Sequence, residues 1–272
     1  EFNIARNWNR LEKSQDKRDF TNYSSPDNLN IIGKPLNGIY AYQTAGYYQD
    51  YKDVPHNFIA GKDTPLGTGT QFYRAGDRII VDNNGDGQID FKDRVFCGSP
   101  LPIASGGVIT TLNYKGFDVS ILFNYVLGRH ILNKGIGASV GTSLGMSAEE
   151  IAKPVFTDIK NISFWQKKGD NTDYPVNRLE AGLNNFGTAI AANVQNASYM
   201  KLKTLTIGYT LPESVKKFMR FGIRVFVTGE NLFTITNYKG ADPESVDTVT
   251  GIDGLGNYPL STRLAFGLTL NL

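Results

Sequence analysis

The chain has 272 residues, of which 20% are charged and 12% aromatic, and a formal net charge of +2. So even a balance, with no long basic block, offers nucleic acid no footprint. No run of about 18 apolar residues exists, so transmembrane helices are excluded. A transmembrane barrel escapes that test, because its outward apolar residues are diluted by polar lumen residues. The single cysteine, Cys97, excludes an internal disulfide and a multi-cysteine metal site, and the two histidines, His56 and His130, stand far apart.

Residues 1–11 read as part of a strand. The start, Glu1 to Arg6, lacks the apolar core of a signal peptide, so in an exported protein these residues would begin partway along a longer chain. A long polar connection follows over 12–99. Within it, Gly33 to Tyr42 is extended and aromatic-bearing, with Tyr47, Tyr48 and Tyr51 beyond. These aromatics suit either a contact surface or packing within the connection itself.

Residues 82–93 have the spacing of a twelve-residue calcium loop. Asp82, Asn84 and Asp86 fall at positions 1, 3 and 5, Gly87 at the sharp turn, Gln88 offers its carbonyl, and Asp90 and Asp93 stand at 9 and 12. Oxygens on alternate residues of a tight loop converge on one point, and a hard cation takes six to eight of them. Asp93 departs from the usual bidentate Glu, and Ile79–Val81 reads as strand where an EF-hand has helix. The metal-free alternative is a turn held by side-chain-to-backbone bonds.

From Ser105 the period is two. Val108, Thr110, Leu112 and Tyr114 alternate up to a tight Lys115-Gly116 turn, and Phe117, Val119, Ile121, Phe123, Tyr125 and Leu127 alternate away from it. This is a β-hairpin with aromatics at both ends of an apolar band, as two membrane interfaces require. Residues 128–196 form a long loop with a capped helical turn at 147–150. Tyr199 to Thr210 is a strand whose apolar parity changes, so one extra residue near Lys203-Thr204 predicts a bulge. Pro212 to Met219 reads as a short helical turn, and Ile223 begins another strand. After a loop over 237–258, Leu260 to Leu272 alternates for thirteen residues. That exceeds the roughly 9–11 tilted residues that cross a bilayer.

The connections alternate too: 12–99 is long, 115–116 short, 128–196 long, 211–221 short and 237–258 long. An outer-membrane barrel sorts its loops this way, long ones outside the cell and short turns in the periplasm. A soluble sandwich has no reason to.

Ile80 to Asp90 with Asp93-Arg94, Tyr114 to Ser120, Asn196 to Lys203 with Ile207 to Pro212, Val225 to Leu232, and Ala241 to Glu244 occur in that order. Together with the Gly267 to Leu272 end they resemble the C-terminal part of SusC/RagA-type TonB-dependent outer-membrane transporters. The resemblance implies an all-β fold, here about five to six antiparallel strands of a large, plugged transmembrane barrel. It implies a multi-pass outer-membrane protein of Bacteroidetes-type Gram-negative cells and active import of oligosaccharides or peptides. It further implies a SusD-like surface lipoprotein as partner and coupling to TonB through an N-terminal part that has no counterpart in this sequence. The alternatives are a soluble secreted β-rich module with a dockerin-like calcium loop and a passive porin or adhesin barrel.

No nucleophile–base set, paired catalytic carboxylates or zinc cluster is present, so the expected chemistry is binding and gating, without catalysis. Expected lumen-facing solute contacts are Asp118, Asn124, Lys201, Glu230 and Arg263. An open six-stranded sheet leaves backbone groups unpaired at a cost of several kcal/mol each in lipid, so further strands are expected from elsewhere.

Overall fold

The computed structural model describes residues 1–13, 20–22, 25–59, 62–68, 71–134, 163–172, 174–176, 189–254 and 257–271. The alternating segments become β1 (Phe2–Arg6), β2 (Ala104–Tyr114), β3 (Phe117–Leu127), β4 (Tyr199–Thr210), β5 (Gly222–Thr236) and β6 (Arg263–Asn271). They form one antiparallel sheet in that order. Only β1 and β6 have a neighbour on one side alone.

Register decides which residues share a face. Val119 opposes Leu112 and Ile207, Ile207 opposes Val227, and Val227 opposes Phe266. One face is therefore apolar from end to end, and it is bare. Leu264, Phe266, Leu268 and Leu270 are more than half exposed, with Phe266 at 83%. Soluble monomers rarely expose contiguous apolar patches beyond a few hundred Å², so the sandwich alternative leaves this face without a cover.

Lys115 (φ 47) and Gly116 (φ 88) form the tight turn. Both central residues lie at positive φ, the combination whose twist matches that of two paired strands. The bulge falls where the parity demanded it. Leu122 opposes Thr204 and Phe123 opposes Leu202, which leaves Lys203 as the extra residue. On the other side Asn231 and Leu232 are the unpaired pair, with Asn231 at φ 50.

Two features differ from the sequence reading. The terminal strand begins at Arg263, three residues later than its alternation, because the Asn231 bulge ends the ladder. There the Asn231 carbonyl accepts from the Thr262 hydroxyl, and Leu260 N donates to Asp242. Tyr125 is no open interface aromatic either. Gly106 leaves room for its ring to lie against β1, where it stacks on Phe2 and donates to the Asn3 carbonyl.

The connection 12–99 holds short strands of its own. Ser25–Asn30, Gly38–Tyr42 and Arg94–Gly98 pair in a small sheet, and Thr44–Tyr47 pairs with Arg78–Ile80. Tyr42 and Tyr48 are buried with Tyr73 and Ile80, and the buried Tyr40 meets Phe96 edge-on, so packing accounts for most of these aromatics. At the same end of the sheet, His130–Asn133 pairs with Val194–Asn196 and, in parallel, with Ile252–Asp253. The expected helical turn at 147–150 lies outside the described residues. At the opposite end, helix α1 (Glu213–Met219) follows Pro212 and closes on Arg220 in the left-handed conformation (φ 65).

Candidate functional site

The polar face of the sheet carries the expected solute contacts, and its geometry divides them. Asp118 opposes Gly208, which has no side chain, and reaches across it to Arg224 on the next strand but one. The Arg224 guanidinium donates from Nε and Nη2 to the two carboxylate oxygens at 2.9 and 2.5 Å. A bidentate, charge-assisted pair of this kind is self-satisfied. Phe226 lies beneath the guanidinium, 4.8 Å from its ring centre, and its ring in turn fills the space over Gly267. The two glycines thus let the Asp118, Arg224 and Phe226 side chains lie over the sheet.

Lys201 is engaged as well. It is 2% exposed, and its ammonium lies 2.8 Å from both Asp242 and Glu244. Lys203, the bulged residue, adds a 2.6 Å bond to the other Glu244 oxygen. Its neighbour Asn124 stands opposite Lys201 in the register. Glu230 and Arg263 remain. They oppose each other directly, both exposed, and neither has a hydrogen-bond or ion-pair partner among the described residues. Asn124 is half-buried and its side chain likewise has no hydrogen-bond partner among the described residues, so three of the five are uncommitted.

The Lys201 cluster belongs to a clamp that the sequence did not announce. Burial pushes the Asp242 carboxyl up. The Lys201 ammonium and the Glu244 and Leu260 amides outweigh burial and hold it below its ordinary value. Arg129, 3% exposed, donates to four main-chain oxygens: Pro100 at 3.1 Å, Pro243 at 2.7, Val246 at 2.8 and Asp247 at 3.1. Tyr238 donates to Asp253, and Tyr238 and Val246 pack on Ile131 and Ala197. The segment 238–253 is thereby fastened to the sheet's end. Arg129 sits alone after a glycine, and Asp242 is 41 residues from Lys201. No local pattern could have paired them, although Ala241 to Glu244 stood out as a motif.

Residues 82–93 form one tight turn, with Gly85 and Gly87 at positive φ. Asp82 accepts from Gly85 N at 2.7 Å and Gly87 N at 2.8 Å, and these amides hold its carboxyl low against the opposing pull of desolvation. Asn84 accepts from Asp86 N and Asp86 from Gln88 N, each at 2.9 Å. Asp90 and the fully buried Asp93 cap each other's backbone. Lys92 stands 3.5 Å from Asp90 and 4.0 Å from Asp86. Among the described residues no group of three or more His, Cys, Asp or Glu converges as a metal cluster. The donors at 82–93 also include an amide and a main-chain carbonyl, but Asp93 Oδ1 already accepts from Asn83 N at 3.0 Å and Asn84 N at 3.4 Å. The remaining oxygens are of the kind a hard cation takes.

No family model matches the chain. Among curated proteins it is similar to TonB-dependent receptor P3 of Formosa agariphila, 29% identical over a gapped alignment of 286 positions that covers 99% of this chain and 26% of the relative. TonB-dependent receptor P26 of the same organism is 30% identical over 244 residues, 78% of this chain and 23% of the relative. The TonB-dependent receptor SusC of Bacteroides thetaiotaomicron is 29% identical over 202 residues, 71% and 17%. The chain belongs with the SusC-type TonB-dependent receptors. It spans about a quarter or less of the length of the receptors it matches. The fold agrees. The RagAB peptide transporter superposes with a TM-score of 0.69 at 20% identity, over 100% of this chain and 26% of that one. The RagAB peptide importer in its closed-closed state gives 0.59 over 93% and 25%. The sheet is thus one sector of a large receptor barrel.

Proposed function

We propose that this chain is a wall sector of an outer-membrane importer that takes up oligosaccharides or peptides, working with a SusD-like surface lipoprotein and driven through TonB. The observation that carries the reading is the two-faced sheet, bare and apolar on one side and polar on the other. Lipid covers the first face, and the second lines the lumen. Loops 12–99, 128–196 and 237–258 lie outside the cell in this reading, with the turns at 115–116 and 211–221 in the periplasm. Glu230, Arg263 and the half-buried Asn124 are the wall residues offered to the solute, and the ion-paired Asp118 and Lys201 shape the wall around them. The full-length receptor with Glu230→Ala and Arg263→Ala is expected to fold normally and to bind and take up its solute several-fold more weakly. Unchanged uptake by the double variant removes these two residues from the path.

The same reading places the 82–93 turn outside the cell, where even millimolar affinity for calcium is sufficient. Asp82, Asn84, Asp86, Asp90, Asp93 and the Gln88 carbonyl would hold the ion and stiffen a loop that meets the lipoprotein. Calorimetry of the full-length receptor is expected to show calcium uptake that Asp82→Ala abolishes. Heat that persists in the variant, or none in the parent, removes the site.

A further inference from the structure

Helix α1 joins β4 to β5 beside the Lys115-Gly116 turn, whose Gly116 carbonyl accepts from Thr210 N. It carries an exposed apolar residue that the wall does not need. Phe218 is 87% exposed and Met219 43%. Residues 212–222 contain Lys216, Lys217 and Arg220 against a single acid, Glu213. Glu213 lies 3.7 Å from Lys216, and neither Lys217 nor Arg220 has a carboxylate partner among the described residues.

The helix's orientation follows from one glycine. Gly222 shares the parity of Arg224 and Phe226, so a side chain there would point to the polar face. Beyond the paired Asn271, whose Cβ and carbonyl oxygen would lie at 3.7 Å, it would approach Lys216 Cδ at 4.0 Å. Lys216 therefore leans to the polar side. At about 3.6 residues per turn, Phe218 stands some 200° further round, on the side of the bare apolar face, with Lys217 between them. That side is continuous with the apolar band through Ile223, Val225 and Leu270. Tyr114 and Phe117, 69% and 53% exposed, stand at the same end beside it.

We propose that α1 is an interfacial anchor: Phe218 inserts among the acyl chains of the periplasmic leaflet, and Lys217 and Arg220 hold anionic phospholipid headgroups. The proposal rests on the outer-membrane reading above. Apolar side chains sitting at the acyl boundary with cations beside them bind by buried area plus attraction to anionic lipid.

The test uses the full-length receptor in liposomes, with nitroxide labels placed by Phe218→Cys, Lys216→Cys and Leu268→Cys on a background without other reactive cysteines. Collisions with oxygen and with a water-soluble nickel complex report depth. At 218 the oxygen-to-nickel ratio is expected to exceed that at 216 several-fold, and to fall when phosphatidylglycerol is replaced by phosphatidylcholine or in Lys217→Glu. A ratio at 218 equal to that at 216 overturns the anchor, as does shielding from both reagents, which would mean a protein partner. A ratio indifferent to lipid charge overturns the headgroup role. The label at 268 separates the two readings. If it too is open to nickel, the membrane-spanning wall fails and the anchor with it. If it is buried in lipid while 218 is wet, only the anchor fails.

Discussion

Lys201 and Asp242 show how much one buried pair decides. Removing Lys201 leaves Asp242 without a cation in so dry a place, at a cost of roughly 3–5 kcal/mol, whereas replacing both with neutral groups costs far less. Lys201→Met in the full-length receptor is expected to release segment 238–253, read as lost amide-exchange protection at Ser245 and Gly251. Adding Asp242→Asn is expected to restore most of it. The pair also has a pH dependence. The folded Asp242 carboxyl lies below its ordinary value near 3.8, so its contribution is present above about pH 4 and is lost as pH falls through the folded value. Protection of the segment is expected to be flat from neutral pH down to about pH 5 and to fall below pH 4. Retained protection at low pH would leave Asp242 without that role. Alternation shows that Lys201 belongs on the polar face, but whether it meets solute or a carboxylate depends on a partner 41 residues away. Position was legible here and occupation was not.

At the scale of elements, Lys203 sets the parity of everything after it in β4. Without a bulge, Leu205, Ile207 and Tyr209 would turn to the polar side while Met200 and Leu202 stayed on the apolar one. Deleting Lys203 joins Leu202 to Thr204 in step with Phe123 and Leu122, so the later residues keep their faces and the barrel is expected to assemble, seen as the heat-sensitive gel mobility of folded barrels. Deleting Thr206 instead turns Ile207 and Tyr209 to the polar side and is expected to prevent assembly. Loss of assembly in the Lys203 deletion would mean that the bulge itself, and not the parity it preserves, is what the strand requires. The bulge, the tight hairpin and the short helix after Pro212 could all be read from the sequence, because each depends on residues within a few positions. The small strands of the 12–99 connection could not. Ser25–Asn30 and Arg94–Gly98 join the same sheet through Gly38–Tyr42, and neither carries a period of its own. The end of β6 shows the same limit from the other side. Its alternation continues back to Leu260, but the Asn231 bulge on the neighbouring strand stops the pairing at Arg263.

For the molecule as a whole, the two outer edges govern what this sector can do. β1 offers one long side of its backbone and β6 another, and in lipid such groups must find partners. Residues 1–272 expressed alone are expected to give no heat-modifiable species in detergent or liposomes, whereas the full-length receptor gives one. A folded, inserted product from the sector alone would mean that it closes on itself or on copies of itself. The division of labour across the sheet is equally general. The middle is held by pairing and by side chains lying over Gly208 and Gly267, and one end by the clamp around Arg129 and Lys201.

That clamp has a consequence for how such a receptor changes over generations. Arg129 binds Pro100, Pro243, Val246 and Asp247 only through their main-chain oxygens. A guanidinium that reads carbonyls is indifferent to the side chains they belong to. Solvent-facing positions of the segment, such as Val249 at 46% exposure, can therefore be rewritten while the attachment stays the same. Fixed mounting and variable display are separated at the level of atoms, so new surface specificity can arise there without renegotiating the fold.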